Sequence, residues 1–292
     1  MDALHVNVQA VNTLSKIPFL PISFFKTHEV KTTSFDPEII FESSGTTGTT
    51  VSRHLVKSIE LYEKSFLKTF RHFYGNEKDW CILGLLPGYL ERGNSSLVKM
   101  VEVLIERSDN AYSGFYLAQH EKLYQTLVHN ELMGQPTLLI GVTFALLDFA
   151  EKYEIRLEHT TIMETGGMKG RREEMTRDAV HDLLKRKFGV ESVHTEYGMT
   201  ELLSQAYAAK DGVLRCPGWM KILLREYNDP FAIRDRAAKP VSGLVNIIDL
   251  ANLYSCAFIA TDDIGRLHNN GDFEILGRRD VSDIRGCSLL TA

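Results

Sequence analysis

The sequence predicts an α/β fold in which parallel sheets flanked by helices are followed by a β-rich C-terminal portion. Three observations predict it. Short apolar runs at 81–86 and 137–142 read as strands buried on both faces, as a sheet covered by helices requires. They alternate with segments of helical periodicity, the rhythm of a parallel sheet with crossover helices. From about Ser204 that rhythm gives way to short strands separated by turns, at 244–249, 256–259 and 273–276. These changes divide the chain into an N-terminal covering arm over 1–35, an α/β portion over 36–203 and a β-rich portion with a C-terminal tail over 204–292.

The arm carries Pro18 and Pro21, which suit a covering segment better than a central strand. A stretch rich in Ser, Thr and Gly over 43–50 reads as a loop. Leu55, Ile59, Tyr62, Phe66, Phe70 and Phe73 then recur at helical spacing, with Gly75 as the cap. The strand at 81–86 lies between Trp80 and Pro87, and helices follow over 96–107 and 120–133. After the strand at 137–142 comes an apolar helix ending near Tyr153, then a strand at 160–164 running into Thr165, Gly166 and Gly167. Met175, Ala179, Val180, Leu183, Leu184 and Phe188 mark one face of the next helix, with Glu173/Arg177 and Asp182/Arg186 spaced as ion pairs on the other. Gly189 ends that helix, and 190–195 is again strand-like.

Composition narrows the function classes. A chain of 292 residues with 44% hydrophobic and 24% charged residues is an ordinary globular balance with ample core. A formal net charge of −5 argues against non-specific nucleic-acid binding, which wants a basic face. No apolar run approaches the roughly 18–20 residues that span a bilayer. The N-terminus lacks a basic start followed by an apolar stretch, so a cytoplasmic protein is expected. Cys81, Cys216, Cys256 and Cys287 lie far apart, without the paired spacing of a zinc site, and are expected to be reduced thiols.

Three motifs carry chemistry. In Ser43-Ser44-Gly45-Thr46-Thr47-Gly48-Thr49, glycines let backbone N–H groups and hydroxyls bend around phosphate oxygens. The loop is expected to open a helix, whose N-terminus favours anions, although an ordinary turn has the same composition. It is not a Walker loop, since no Lys follows the second Gly. Glu196-Tyr197-Gly198-Met199-Thr200-Glu201 falls at the end of a predicted strand, where α/β sheets bind ligands. Tyr197 offers a flat face, Thr200 a hydroxyl and Glu201 a hard oxygen ligand for magnesium; a surface turn is the alternative. Thr261-Asp262-Asp263-Ile264-Gly265-Arg266, followed by Gly277-Arg278-Arg279-Asp280, could hold a ribose diol on a carboxylate with an Arg beside it, or be simple turn chemistry.

In their order and spacing these motifs resemble the adenylate-forming (acyl-activating) superfamily. Within it the likeness runs to phenylacetate–CoA ligase and, more so, to the acyl-protein synthetase of bacterial luminescence. The second likeness rests on SSGTTG followed by Ser52-Arg53-His54, on GGMKGRREE, on EYGMTE and on the ending SDIRGCSLL. The resemblance implies the large-domain fold of these enzymes and ATP with Mg²⁺ as cofactors. It implies that Ser44, Gly45, Thr46, Thr47 and Gly48 hold the β- and γ-phosphates, and that Gly166 and Gly167 lie along the adenine. Tyr197 would stack on the base, Thr200 contact the α-phosphate, Glu201 bind magnesium and Asp263 bind the ribose. Arg278 matches the Arg of the hinge motif, and Asp280 the hinge itself.

Three departures from the superfamily pattern stand out. The Lys that usually closes the phosphate loop is absent, with Arg53 as a nearby cation. The ribose motif reads Thr-Asp-Asp where Thr-Gly-Asp is usual, so Asp262 is a second carboxylate. Only residues 281–292 follow the hinge, so the usual C-terminal lid with its Lys is expected to be lacking. The luminescence synthetase also lacks a conventional lid, and the resemblance implies that a C-terminal cysteine, here Cys287, receives the acyl group; an inert tail thiol is the alternative. Arg285 could favour its thiolate. The expected function is ATP-dependent activation of a carboxylic acid, fatty acids foremost, with transfer to a thiol: Cys287, a carrier or acyl-reductase partner, or coenzyme A. The alternative is a non-catalytic nucleotide-binding or partner-dependent subunit.

Overall fold

The structure is a computed structural model that describes residues 7–44, 50–87, 94–117, 119–166, 175–234 and 239–279. The arm enters as β1 (Leu20–Pro21) and a short helix α1 (Phe24–Thr27). β2 (Ile39–Glu42) and β3 (Arg53–Val56) form an antiparallel hairpin. Two expectations are corrected here. The Ser/Thr/Gly loop joins two strands and does not open a helix, and Leu55 lies in β3, not on the helix. α2 begins only at Ile59 and runs to Tyr74, with the Ser58 side chain accepting from the Leu61 amide at its start. The four residues of β3 turn their apolar positions inward just as a helix would, so periodicity alone could not separate the two.

The α/β rhythm then follows: β4 (Cys81–Leu85), α3 (Ser96–Ser108), β5 (Gly114–Phe115), α4 (His120–Met133), β6 (Thr137–Val142), α5 (Thr143–Lys152), β7 (Thr160–Thr165), α6 (Arg177–Phe188) and β8 (His194–Tyr197). β9 (Ala206–Ala208) comes after the change of rhythm yet still joins this sheet. Among the described residues its order is β5-β4-β6-β7-β8-β9, parallel throughout except for β9. α3 leads outward from β4 and α4 leads back across to β6, so right-handed crossovers place α3 on the face opposite α4, α5 and α6. Every residue of β4 and of β6 is buried, as strands covered on both faces must be. Met175 precedes α6, while Glu173, the expected partner of Arg177, lies outside the described residues; the Arg177 guanidinium donates to the Ile275 carbonyl.

The second sheet is built from β10 (Met220–Arg225), β11 (Ile233–Arg234), β12 (Val241–Asp249), β13 (Phe258–Leu267) and β14 (Phe273–Arg278). Among the described residues it runs β1-β13-β12-β10-β11, with β14 also paired to β13. β1 is an edge strand, where Pro21 costs no ladder hydrogen bond. The two sheets have separate cores. Phe66, Phe70, Leu83, Ile140, Phe149 and Phe188 lie in the first, and Phe25, Ile222, Val245, Ile259 and Phe273 in the second. No helix among the described residues is long and apolar enough to cross a membrane.

Candidate active site

Parallel strands expose their carboxyl ends along one edge of the first sheet, and the motifs gather there. β7 ends at Thr165 and turns at Gly166, whose φ of +73° suits glycine. The Thr143 hydroxyl, at the start of α5, holds this turn: it lies 2.6 Å from the Gly166 carbonyl and 3.0 Å from Glu164 Oε2. On the next strand Tyr197 ends β8. Its hydroxyl donates to Asp263 Oδ2 at 2.7 Å, and Arg278 Nε stands 3.8 Å from Asp263 Oδ1. The β13–β14 ladder sets Asp263 opposite Arg278, so the second sheet delivers both to Tyr197 as a unit. Burial and then the Asp263 charge push the Tyr197 phenol up, which keeps it a neutral donor.

The turn after Tyr197 is pinned from two directions. His54 on β3 is buried, and burial pulls its imidazole down to about 4 despite a bond to Thr200, so the ring is neutral. Its Nδ1 lies 2.9 Å from the Thr200 carbonyl and its Nε2 2.8 Å from Ser255 Oγ. A carbonyl only accepts, so Nδ1 carries the proton and Nε2 accepts from Ser255. From the second sheet, Asn252 donates to the Glu201 carbonyl at 2.8 Å. The Asp249 carboxylate accepts from the amides of Leu203, Ser204 and Ala251 and from the Ser204 hydroxyl, all within 2.6–3.0 Å.

Glu201 is buried beside the stem of the β2–β3 loop. Burial pushes its carboxyl above the ordinary range, while a hydrogen bond with Ser52 and the charges of Arg278 and Lys26 pull the other way. Ser52 and Ser43 close that stem: the Ser43 amide donates to the Ser52 carbonyl at 3.1 Å, and the Ser52 amide to Ser43 Oγ at 2.9 Å. Ser44 follows directly. Gly45, Thr46, Thr47, Gly48, Gly167, Asp280 and Cys287 lie outside the described residues. Arg53 points away from His54 and is 3.8 Å from Glu42 in an exposed ion pair.

The structure therefore brings Tyr197, Asp263 and Arg278 into direct contact and sets Glu201 against the loop stem, with Arg278 acting electrostatically on Tyr197 and on Glu201. Thr200 is held through its backbone, beside them in the chain. Sequence reading passed over Asp249, Asn252, Ser255 and Thr143, whose only signal is a polar residue at a strand end or helix start. Such a site has a flat ring, a carboxylate–guanidinium pair and a buried carboxylate, with the serine-bearing stem of the β2–β3 loop beside it.

Several solved structures share this fold. ATP-bound MatB from Rhodopseudomonas palustris superposes with a TM-score of 0.58 at 16% identity, over 84% of this chain and 49% of that one. O-succinylbenzoate coenzyme A synthetase from Bacillus subtilis, in complex with AMP, gives 0.56 at 17% identity, over 82% and 49%. A long-chain-fatty-acid–CoA ligase from Archaeoglobus fulgidus gives 0.52 at 15% identity, over 82% and 51%. The chain spans about half the length of these structures. No curated protein matches the sequence. The sequence model of one family, described as Acyl-protein synthetase, LuxE, matches residues 5–292.

Proposed function

This chain belongs to the acyl-protein synthetase family, and from that premise we propose that it uses ATP to activate a carboxylic acid and passes the acyl group to a thiol. The observation that carries the reading is the 2.7 Å hydrogen bond from Tyr197 to Asp263, which joins the strand-end motif of one sheet to the ribose motif of the other. Beside it, the Ser43–Ser52 stem from which the proposed phosphate loop departs lies against Glu201, which hydrogen-bonds Ser52.

In the first step a substrate carboxylate oxygen bonds to the α-phosphorus of ATP, and the bond from that phosphorus to the bridging oxygen breaks, releasing pyrophosphate. In the second a thiolate attacks the acyl carbon, the bond to the AMP oxygen breaks, and a thioester and AMP result. The protein's part is positioning and charge neutralisation. Tyr197 and the backbone at Gly166 and Gly167 flank the adenine, Asp263 accepts from the ribose hydroxyls, and Arg278 balances its charge. Ser44, Gly45, Thr46, Thr47 and Gly48 hold the β- and γ-phosphates, and Thr200 contacts the α-phosphate.

Among the described residues no cluster of three or more His, Cys, Asp or Glu could hold a metal by itself. A single buried carboxylate suits magnesium, which keeps waters and takes its other ligands from phosphates. Bound in that way, Mg²⁺ would be held by Glu201 and would supply neutralisation of phosphate charge. Fatty acids are the foremost substrates, and Cys287, an acyl-reductase or carrier partner, or coenzyme A is the acceptor.

The test is ATP–pyrophosphate exchange with a panel of aliphatic and aromatic acids, followed by intact-mass analysis. The expected result is exchange dependent on one acid class and an acyl adduct that hydroxylamine removes and Cys287→Ser abolishes. Binding of ATP without exchange by any acid, unaffected by Glu201→Ala, would overturn the enzyme reading in favour of a nucleotide-binding subunit. Exchange with no adduct at Cys287 would move the acceptor to a partner or to coenzyme A.

A further inference from the structure

Asp263 is presented by a break in the β12–β13 ladder. Leu244 pairs with Ile264 and Asn246 with Ala260, so Val245 alone faces Thr261, Asp262 and Asp263. Surplus residues of this kind leave backbone groups without ladder partners. The Asp262 carbonyl accepts from the Arg279 amide at 2.8 Å, and one side chain from β10 collects two of the other carbonyls. Arg225 Nη1 donates to the Val245 carbonyl at 3.0 Å and to Asn246 Oδ1 at 2.7 Å, while Nη2 donates to the Thr261 carbonyl at 2.6 Å. The Thr261 hydroxyl closes the irregularity from within, donating to the Val245 carbonyl at 2.9 Å and accepting from the Asp263 amide at 3.2 Å.

Arg225 also meets the departure in the motif. Asp262 puts a second carboxylate directly beside Asp263, and an extra negative charge next to a phosphate ligand would repel it. Burial pulls the Arg225 guanidinium below its usual value, and the Asp262 charge opposes that. A guanidinium has five donors in a rigid plane, so it can satisfy two carbonyls and an amide oxygen while balancing a carboxylate. An ammonium cannot span that set.

We propose that Arg225 is a positioning residue for nucleotide recognition: it braces the irregular turn of β13 and offsets Asp262, so that Asp263 is the carboxylate offered to Tyr197 and the ribose. The inference rests on the nucleotide site proposed above. Arg225 touches no substrate and acts through the backbone of Thr261 and the placing of Asp263.

The test uses the full chain, with calorimetric titration of ATP and 2′-deoxy-ATP, and crystal structures of the variants. The wild type should favour ATP by about tenfold, the worth of one hydrogen bond to a charged group. Arg225→Lys should reduce that preference to within about threefold by weakening ATP while leaving 2′-deoxy-ATP nearly unchanged. Thr261→Val should do the same, and Thr261→Ser, which keeps the hydroxyl, should restore it. A merely structural role would weaken both nucleotides alike, and that result, whatever the change in melting temperature, would overturn the proposal. In the Arg225→Lys crystal the Tyr197 hydroxyl should have parted from Asp263; a bond kept at its original length would overturn it as well. Should the wild type bind neither nucleotide, the functional reading fails, and the crystal geometry alone then decides whether Arg225 braces the turn.

Discussion

Glu196 opens the strand-end motif with almost no access to water, so replacing it by Gln isolates the energetics of one buried carboxyl. Burial pushes Glu196 from 4.5 up to about 7, the Glu164 charge adds to this, and a hydrogen bond from the Thr165 hydroxyl opposes it. The folded state therefore binds this proton more tightly than the unfolded chain. Stability from this group is complete below pH 4.5, falls as pH rises towards 7, and is level above. The displacement corresponds to about 3 kcal/mol, most of which falls between pH 5 and pH 8. Burial holds His54 and His194 down at about 4, and these groups titrate in the opposite sense, adding stability as pH rises to 6.5. They are common to both proteins and cancel in the difference. Urea denaturation of wild type and Glu196→Gln at pH 5, 6, 7 and 8 should show the variant gaining on the wild type by about 2–3 kcal/mol across the range. A difference constant within about 0.5 kcal/mol would show that Glu196 ionises freely in the fold, and the reasoning from its burial would be wrong.

Three further substitutions probe the scaffold of the site. His54→Phe keeps a ring against Phe25 but strands the Thr200 carbonyl and the Ser255 hydroxyl, and should cost about 2–4 kcal/mol in urea denaturation at pH 7. Asp249→Ala removes the acceptor of three amides and a hydroxyl and should cost about 3–5 kcal/mol, with Asp249→Asn recovering part of the loss in the same assay. At Gly84 an added Cβ would stand 2.7 Å from the Phe115 ring and 3.2 Å from Val101. Gly84→Ala should cost about 1–3 kcal/mol by overpacking, and Phe115→Leu in the same chain should return some of it on thermal denaturation.

Where one physical signal dominated, sequence and structure agree closely. α4 spans His120–Met133 and β6 spans Thr137–Val142, the bounds expected from periodicity and from an unbroken apolar run. Competing signals caused the errors. Leu55 fits the helical spacing of Ile59 and Tyr62, yet it pairs with Ile40 in a hairpin, and long-range pairing of that kind leaves no local trace. β13 runs through Thr261, Asp262 and Asp263, polar residues that read as a turn because the irregular ladder there is sustained by Arg225, 36 residues earlier in the chain. β10 escaped notice for want of alternation, since it is covered on most positions. The meeting of Tyr197 with Asp263 could be expected only from the resemblance to known enzymes, because residues 66 apart announce no contact by spacing. His54 and Asp249 were invisible for a different reason: a buried polar group is specified by its partners, and those lie 146 and 46 residues away.

The Asp249 carboxylate has a consequence for how the molecule can be divided. It lies at the end of β12, and the amides it gathers belong to the segment just before β9 of the other sheet. Neither half can satisfy its own backbone at this seam: cut from the second sheet, Leu203 and Ser204 keep their donors and lose their acceptor. A fragment ending near Cys216 would contain every described strand of the first sheet and still be incomplete. The seam welds two cores into one cooperative body, so the halves are not interchangeable modules, and a chimera that exchanged one of them would have to carry Asp249 and Asn252 across with the segment they grip.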